Sequence, residues 1–251
     1  MAQSADDIRR TIDLLWHGDR RSPRPGPRQR TSLAEVVRTA IGLADAQGLA
    51  KLSMRLLAAE VGLRPMSLYT YVPNREVLLA LMVDAVATED EAIASDRGLR
   101  EVLRAIASQY RREVVRHPWL LDVPAWRPVP GPGSSARYES QLAALTTAAE
   151  IDGRTWGDVD LDAVIASLRA FAVGSARSRV DRDVTYADSG MTDAQWWEVA
   201  GPSLAEAMPA GRYPISSRVG STVGELFAGP GNVDHAYEFG LARLVDGIIR
   251  E

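Results

Sequence analysis

Residues 52–82 read LSMRLLAAEVGLRPMSLYTYVPNREVLLALM, and two interruptions decide what this stretch can become. At Gly62-Leu63-Arg64-Pro65 a glycine is followed by a ring that fixes φ and removes an amide, and at Pro73-Asn74 a second proline stops helical hydrogen bonding again. Only the short piece 66–72 lies between the breaks. Within it Leu68 and Val72 share an i,i+4 core stripe, so Met66, Ser67, Tyr69, Thr70 and Tyr71 cannot all be buried. Part of a hydroxylated, aromatic side must face outward or meet a partner.

The flanking residues supply the helices around this piece. Ser32-Leu33-Ala34-Glu35 has the capping-box pattern, in which Ser32 accepts from the Glu35 amide and Glu35 returns the bond. Leu33, Val36, Val37, Ala40, Ile41 and Ala44 keep helical spacing until Gly48. A second helix of about two turns follows the N-cap Ser53, with Leu57, Ala58 and Val61 inward. Arg64 caps a third helix whose first residue is Pro65. A fourth starts at Asn74, with Leu78, Leu81, Met82 and Ala85 as its inner stripe. Two short helices joined by a tight glycine-containing turn, the second with an exposed polar and aromatic face, make a helix-turn-helix that enters the major groove of DNA.

The charge distribution agrees. The net charge of the chain is −4. Residues 1–76 carry 12 Lys+Arg against 8 Asp+Glu, and the remainder 17 against 25, so a small basic head precedes an acidic body. Ahead of the head, residues 5–16 form a short amphipathic helix. It leads into GDRRSPRPGPRQR, where Pro23, Pro25 and Pro27 forbid a helix and Arg20, Arg21, Arg24, Arg28 and Arg30 follow one another with no acid after Asp19. Two readings stand for this arm: a solvated tether, or a strand of cations laid along phosphates or in the minor groove.

The absence of cysteine excludes disulfides and thiolate metal sites. MAQSADDIRR carries acids where a secretory signal needs cations, and the apolar run that contains LLALMV at 78–83 is far too short to span a bilayer, so a soluble cytoplasmic chain without a membrane partner is expected. Beyond residue 90 the periodic segments are helical, at about 99–116, 118–122, 135–151, 160–181, 193–208 and 233–250, with connectors at 123–134, 182–192 and 209–232. The expected fold is all-α: an N-terminal three-helix helix-turn-helix domain followed by a larger helical ligand-binding and dimerisation domain. The expected division is 1–30 for the first helix and arm, 31–78 for the head, and 79–251 for the body.

Catalytic signatures are lacking. His17, His117 and His235 lie far apart; Glu113 and His117 form a single i,i+4 pair; no GxSxG occurs, and the glycines of GPGSS at 131–135 and GPGNVD at 229–234 follow no strand and read as loops. No catalytic residue, metal or cofactor is expected. Two rivals remain, an all-α enzyme that uses the helix-turn-helix as scaffold, which would need clustered acids or histidines, and a small-molecule-binding helical dimer that binds no DNA.

The run from Thr31 to about Ala85 resembles the DNA-binding domain of the tetracycline-repressor (TetR) family, and SMRLLAAEVGLRPMSLYTYVPNREVLL is similar to its signature from end to end. RHPWLLD at 116–122 and HAYEFGLARLVDGI at 235–248 resemble the regulatory domain of the branch nearest the tetracycline repressor itself. The resemblance implies a homodimeric regulator, most simply a repressor, that binds a palindromic duplex and is released by an unknown small effector. It implies DNA contacts at Ser53, Arg55, Arg64, Pro65, Met66, Ser67, Tyr69, Thr70, Tyr71 and Arg75. Among these, Arg55 matches a guanine-reading arginine, Pro65 and Met66 match contacts to thymine methyls, and Arg75 matches a phosphate contact. Tyr69 packing on the first helix, Arg55 as an ion-pair partner, and Tyr71 as plain surface are the competing readings. Arg64 and Pro65 stand where the family is often polar and neutral, and Thr70 where it is often aromatic, so no relative's operator can be copied.

The resemblance also implies an effector cavity, with Tyr110, His117, Trp119, Trp126, Tyr138 and Phe171 as candidate lining, each with ordinary core packing as its competitor. The tetracycline repressor holds magnesium through a body histidine, but the placement of His117 beside Pro118-Trp119 does not establish that role, so neither magnesium nor tetracycline is expected. A four-helix dimer interface is implied for Leu161, Val164, Leu168, Phe171, Tyr237, Leu241, Leu244, Val245 and Ile248. Effector binding would swing the fourth helix of the head and spoil the spacing of two heads.

Overall fold

The structure is a computed structural model, and the residues it describes are 5–18, 31–94, 96–124, 127–209 and 211–250. All regular elements among the described residues are helical. They are α1 (Ala5–His17), α2 (Leu33–Gln47), α3 (Met54–Glu60), α4 (Pro65–Leu68), α5 (Arg75–Val86), α6 (Leu99–Arg116), a 3-10 turn at Pro118–Asp122, α7 (Pro132–Ile151), α8 (Asp158–Ser189), α9 (Asp193–Ala207), α10 (Pro214–Phe227) and α11 (Val233–Arg250). The chain forms two compact units, residues 1–173 and 174–251, and the division falls within α8.

In the head, the caps occupy the positions the sequence predicts. Ser32 Oγ accepts from the Glu35 amide at 3.1 Å, Ser53 Oγ from the Leu56 amide at 3.2 Å, and Asn74 Oδ1 from the Val77 amide at 2.8 Å. The reciprocal half of the box differs: the Glu35 carboxylate accepts from the Thr31 hydroxyl at 2.7 Å. Gly48 closes α2 at φ +80°, its amide returning to the Ala44 carbonyl. Val36, Ala40, Leu57, Ala58, Leu68, Val72, Leu78 and Met82 fill the core between α2, α3, α4 and α5. Leu15 of α1 joins that core, and the Trp16 indole donates to the Pro130 carbonyl at 3.1 Å.

The helix α5 passes from the head into the body, where a buried carboxylate anchors it. Asp84 accepts from the amides of Gly133 and Ser134, at 3.0 and 2.8 Å, and from the Ser134 hydroxyl at 2.7 Å. It thereby satisfies the first turn of α7, whose amides have no intrahelical partner. The glycines allow the approach: a Cβ on Gly133 would lie 2.3 Å from the Asp84 carbonyl. The stretch expected as a loop at 131–135 is therefore mostly the start of α7, and its anion is supplied by the chain itself.

Two other connectors turn out helical. Across 182–189 the apolar stripe fades, yet α8 continues because its surface bonds locally: Arg179 pairs with Asp183 at 3.0 Å, and the hydroxyls of Thr185 and Ser189 return to the carbonyls four residues back. Within 209–232 lies α10, whose Gly220 and Gly224 read as breakers. Gly224 is buried against the Trp197 ring, and a Cβ there would sit 2.2 Å from it. Trp197 thus ties α9 to α10, a role the sequence leaves unassigned.

Replacing Asp84 with alanine should strip the α7 amides of their acceptor and lower stability by about 2–3 kcal/mol. A urea midpoint unchanged from the parent protein would show that α5 and α7 do not depend on this carboxylate.

Candidate nucleic-acid interface

The four-residue helix α4 is held by Leu68 and, just beyond it, Val72, both fully buried. Everything else on it points away from the core. Met66 is 78% exposed and Tyr69 44%, and Arg64, Pro65, Ser67 and Thr70 are exposed as well. The Thr70 hydroxyl donates to the Ser67 carbonyl at 2.7 Å, which fixes its orientation along the turn. Ser53 and Arg55, at the start of α3, are also exposed, the Ser53 hydroxyl being the N-cap. Gly62, at φ +68°, makes the turn between α3 and α4.

Two of the predicted contact residues are committed elsewhere. Tyr71 is half-buried and its hydroxyl donates to the Thr31 carbonyl at 3.3 Å, tying the end of the α4 region to the entry of α2. The Arg75 guanidinium donates to the carbonyls of Leu52 and Leu49, the latter at 2.8 Å, so it braces the connector between α2 and α3. The interface presented outward is therefore Arg55 with the α4 face.

The candidate effector residues divide sharply. Trp126 lies outside the described residues. His117 and Trp119, 4% and 2% exposed, belong to the junction between head and body rather than to a cavity wall. His117 places Nδ1 2.8 Å from Asp45 Oδ1 on α2 and Nε2 2.9 Å from Glu89 Oε2 behind α5. The Trp119 indole donates to the same Asp45 oxygen at 2.8 Å, and its ring packs into the head core. Burial alone would push the imidazole down, but hydrogen bonds to Glu89 and Asp45 and the two negative charges together hold its pKa above the usual histidine value. For Glu89 burial works upward, and hydrogen bonds and charge from His117 and Arg116 outweigh it, so its pKa is lowered.

Tyr110, Tyr138 and Phe171 remain in the body. Tyr110 is buried, its hydroxyl donating to Gln141 Oε1 at 3.0 Å; the Gln141 amide donates to Gln109 at 2.9 Å, and Gln109 to the Glu91 carbonyl at 2.8 Å. Arg137 stacks 5.0 Å from the Tyr110 ring and pairs with Glu113 at 2.6 Å. Tyr138 donates to Asp162 at 2.7 Å, and that bond, with burial and the carboxylate charge, raises its pKa to about 12. Phe171 is half-buried. None of the five described candidates lines the open, polar groove of about 600 Å³ along α6, whose walls include Arg97, Glu101, Arg104 and Arg112. Sequence reading missed Gln109 and Gln141. Gln141 left a trace, being polar on the apolar stripe it shares with Ala144, Leu145 and Ala148.

Of the residues assigned to a dimer interface, Leu168, Tyr237, Leu241 and Val245 are buried within the single chain. Leu161, Val164, Phe171, Leu244 and Ile248 keep part of their surface. Among the described residues no group of three or more His, Asp and Glu side chains could hold a metal ion, and no helix is long and apolar enough to cross a membrane.

A short supported helix with an outward polar-aromatic face, preceded by a tight turn and an exposed arginine, defines a helix-turn-helix DNA-binding protein. Residues 94–251 match the family described as "Tetracyclin repressor-like, C-terminal domain". The HTH-type transcriptional repressor DrrR1 of Streptomyces coeruleorubidus is 39% identical over 244 residues, covering 96% of this chain and 86% of the relative. An HTH-type transcriptional regulator of Saccharopolyspora erythraea is 32% identical over 142 residues, 56% of this chain and 58% of its own. Among solved structures, the TetR family protein ActR of Streptomyces coelicolor in complex with (S)-DNPA superposes with a TM-score of 0.67 at 26% identity, covering 89% of this chain and 99% of that one. Apo ActR gives 0.68 at 25% identity, over 89% and 97%. The chain belongs to the TetR family, and it is a ligand-responsive, DNA-binding transcriptional regulator.

Arg75→Ala should leave two connector carbonyls without their donor and cost about 1.5–3 kcal/mol in thermal unfolding, with no DNA present. An unaltered melting curve would return Arg75 to the role of a phosphate contact alone.

Proposed function

We infer that the protein is a homodimeric repressor that reads a palindromic operator with Arg55 and the exposed face of α4, and that a small effector in the body releases it. The observation that carries this is the contrast within α4 and the turn after it: Leu68 and Val72 are sealed while Met66 and Tyr69 stand out, although neither suits water. An apolar side chain flanked by hydroxyls fits a major-groove floor, where thymine methyls lie beside hydrogen-bonding edges. Residues 31–78 are the reading head under this proposal, and 79–251 the regulatory body. The repressor named DrrR1, to which 96% of the chain is similar, supports the sign of regulation.

A dimer follows from the recognition task, because two heads about 34–36 Å apart read half-sites one turn apart. The accessible residues of the proposed interface are Leu161, Val164 and Phe171 on α8, and Leu244 and Ile248 on α11. For the effector, the buried Tyr110–Gln141–Gln109 chain, with Tyr138 on α7 and Phe171 on α8 as further candidates, offers hydrogen-bonding groups. The ActR structure with (S)-DNPA supports a small organic ligand of that general kind.

Selection of bound duplexes from a random pool should enrich one palindrome, and enrichment of none would end the operator reading. On that palindrome Arg55→Ala should lose about 1–3 kcal/mol of affinity and relax preference at one base pair per half-site. Unchanged affinity and preference would remove Arg55 from the base-reading set.

A further inference from the structure

The operator reading leaves open how the body holds the head, and the His117 junction supplies a specific answer. Both ring nitrogens face carboxylate oxygens, at 2.8 Å on Asp45 and 2.9 Å on Glu89. An ionised carboxylate only accepts, so both nitrogens must carry hydrogen, which makes the ring an imidazolium. The two acceptors come from different places: Asp45 ends α2 in the head, and Glu89 follows α5. His117 itself caps the C-terminus of α6 in the body, its amide bonded to the Glu113 carbonyl, where a positive ring also meets the negative end of the helix dipole. The groups around it are charged on every side. Arg116 holds the same Glu89 oxygen at 3.0 Å and reaches Asp90 at 3.7 Å, and Arg112 pairs with Asp90 at 3.1 Å. On the α2 side the Trp119 indole shares the Asp45 oxygen.

We propose that His117 is the positioning residue that fixes the reading head to the body, as a cation shared between Asp45 and Glu89. With the proton present, one ring bridges α2 and the end of α5, and the head keeps a single orientation. Once the proton leaves, one nitrogen turns a lone pair toward a carboxylate, and attraction becomes repulsion across a partly buried contact. The head then loses this charged bridge and keeps the packing of Trp119, its indole bond to Asp45, and the Asp84 contact. Because the ring's pKa is raised in the folded protein, its contribution is complete below the ordinary histidine value of 6.5 and is lost as pH rises through the raised value. This rests on the operator reading only for its functional readout, since the bridge exists without DNA.

The experiment has two arms. In the first, ring resonances of the three histidines are followed by NMR in the full-length protein without DNA, with His117→Gln for assignment. The His117 ring should titrate above 6.5, and Asp45→Asn should lower that value; a ring titrating at or below the ordinary value overturns the proposal. In the second, affinity for the selected palindrome is measured at constant ionic strength from about pH 6 to about pH 9. The wild type should weaken about tenfold across the ring's titration, whereas His117→Gln should bind weakly at the acidic end and stay flat. Parallel profiles for the two proteins overturn the proposal. If no duplex is selected, the operator reading fails and amide exchange decides the bridge. Protection of the α2 amides, taken relative to their intrinsic exchange rate at each pH, must fall above the ring's pKa in the wild type and be low throughout in His117→Gln, and protection insensitive to either overturns it. Glu89→Gln, at a partly exposed site, repeats both arms should His117→Gln fail to fold.

Discussion

The fold depends on a carboxylate placed where bulk solvent cannot serve it. Asp84 is buried on α5, and its oxygens are satisfied by two amides and a hydroxyl at the start of α7. A carboxylate without such partners would be too costly to bury, and the α7 amides would be orphaned without the carboxylate. Each group therefore makes the other tenable. The consequence reaches beyond stability, because α5 also packs Val77, Leu78, Leu81 and Met82 into the head core. One helix is shared by two layers, and its far half is pinned by a directional contact that tolerates little sliding.

A second fastening lies five residues on, where Glu89 meets His117 and Arg116. Together the two contacts restrict α5 to motions that break or remake charged hydrogen bonds, which are discrete events and not gradual deformations. A ligand in the body can bias such an element only by changing α6 or α7, the helices that carry the opposing halves of the contacts. The Tyr110–Gln141–Gln109 chain spans those same two helices, with Gln109 bonded onward to the Glu91 carbonyl just past Glu89. The segment that follows α5 thus carries both the Glu89 contact and the end of the buried polar chain.

Much of the head was legible because its determinants are local. Ser32, Ser53, Asn74, Pro65 and Gly62 act within four residues of themselves, and the caps and the turn stand where pattern reasoning puts them. Long-range partners were not legible. Arg75 presents the same side chain whether it holds a phosphate or braces the Leu49 and Leu52 carbonyls, and His117 acquires its meaning from Asp45, 72 residues away. Glycine misled twice for one reason. At Gly133 and Gly224 it marks a surface another group approaches closely, Asp84 in one case and Trp197 in the other, and helical propensity alone scores both as breakers. The residues assigned to a dimer interface pose a different problem: a stripe at helical spacing says which face is apolar, and not whether its own chain or a second copy covers it.

The same commitments sharpen what the head can do electrostatically. Arg75 keeps its charge, but its donors are occupied by backbone carbonyls and so are not turned outward. Asp45, in turn, is paired with a ring whose two donated hydrogens make it positive. What faces outward around α4 is Arg55 and Arg64 beside hydroxyls and aromatic surface. Such a face discriminates by fit and hydrogen bonding and draws little on bulk attraction, since a cation contributes chiefly through the counterions it releases from phosphates. Under the proposed reading the α4 face serves selectivity, and a large electrostatic share of affinity would come from cations outside α4, among which the arginines at 20, 21, 24, 28 and 30 form the densest group in the sequence.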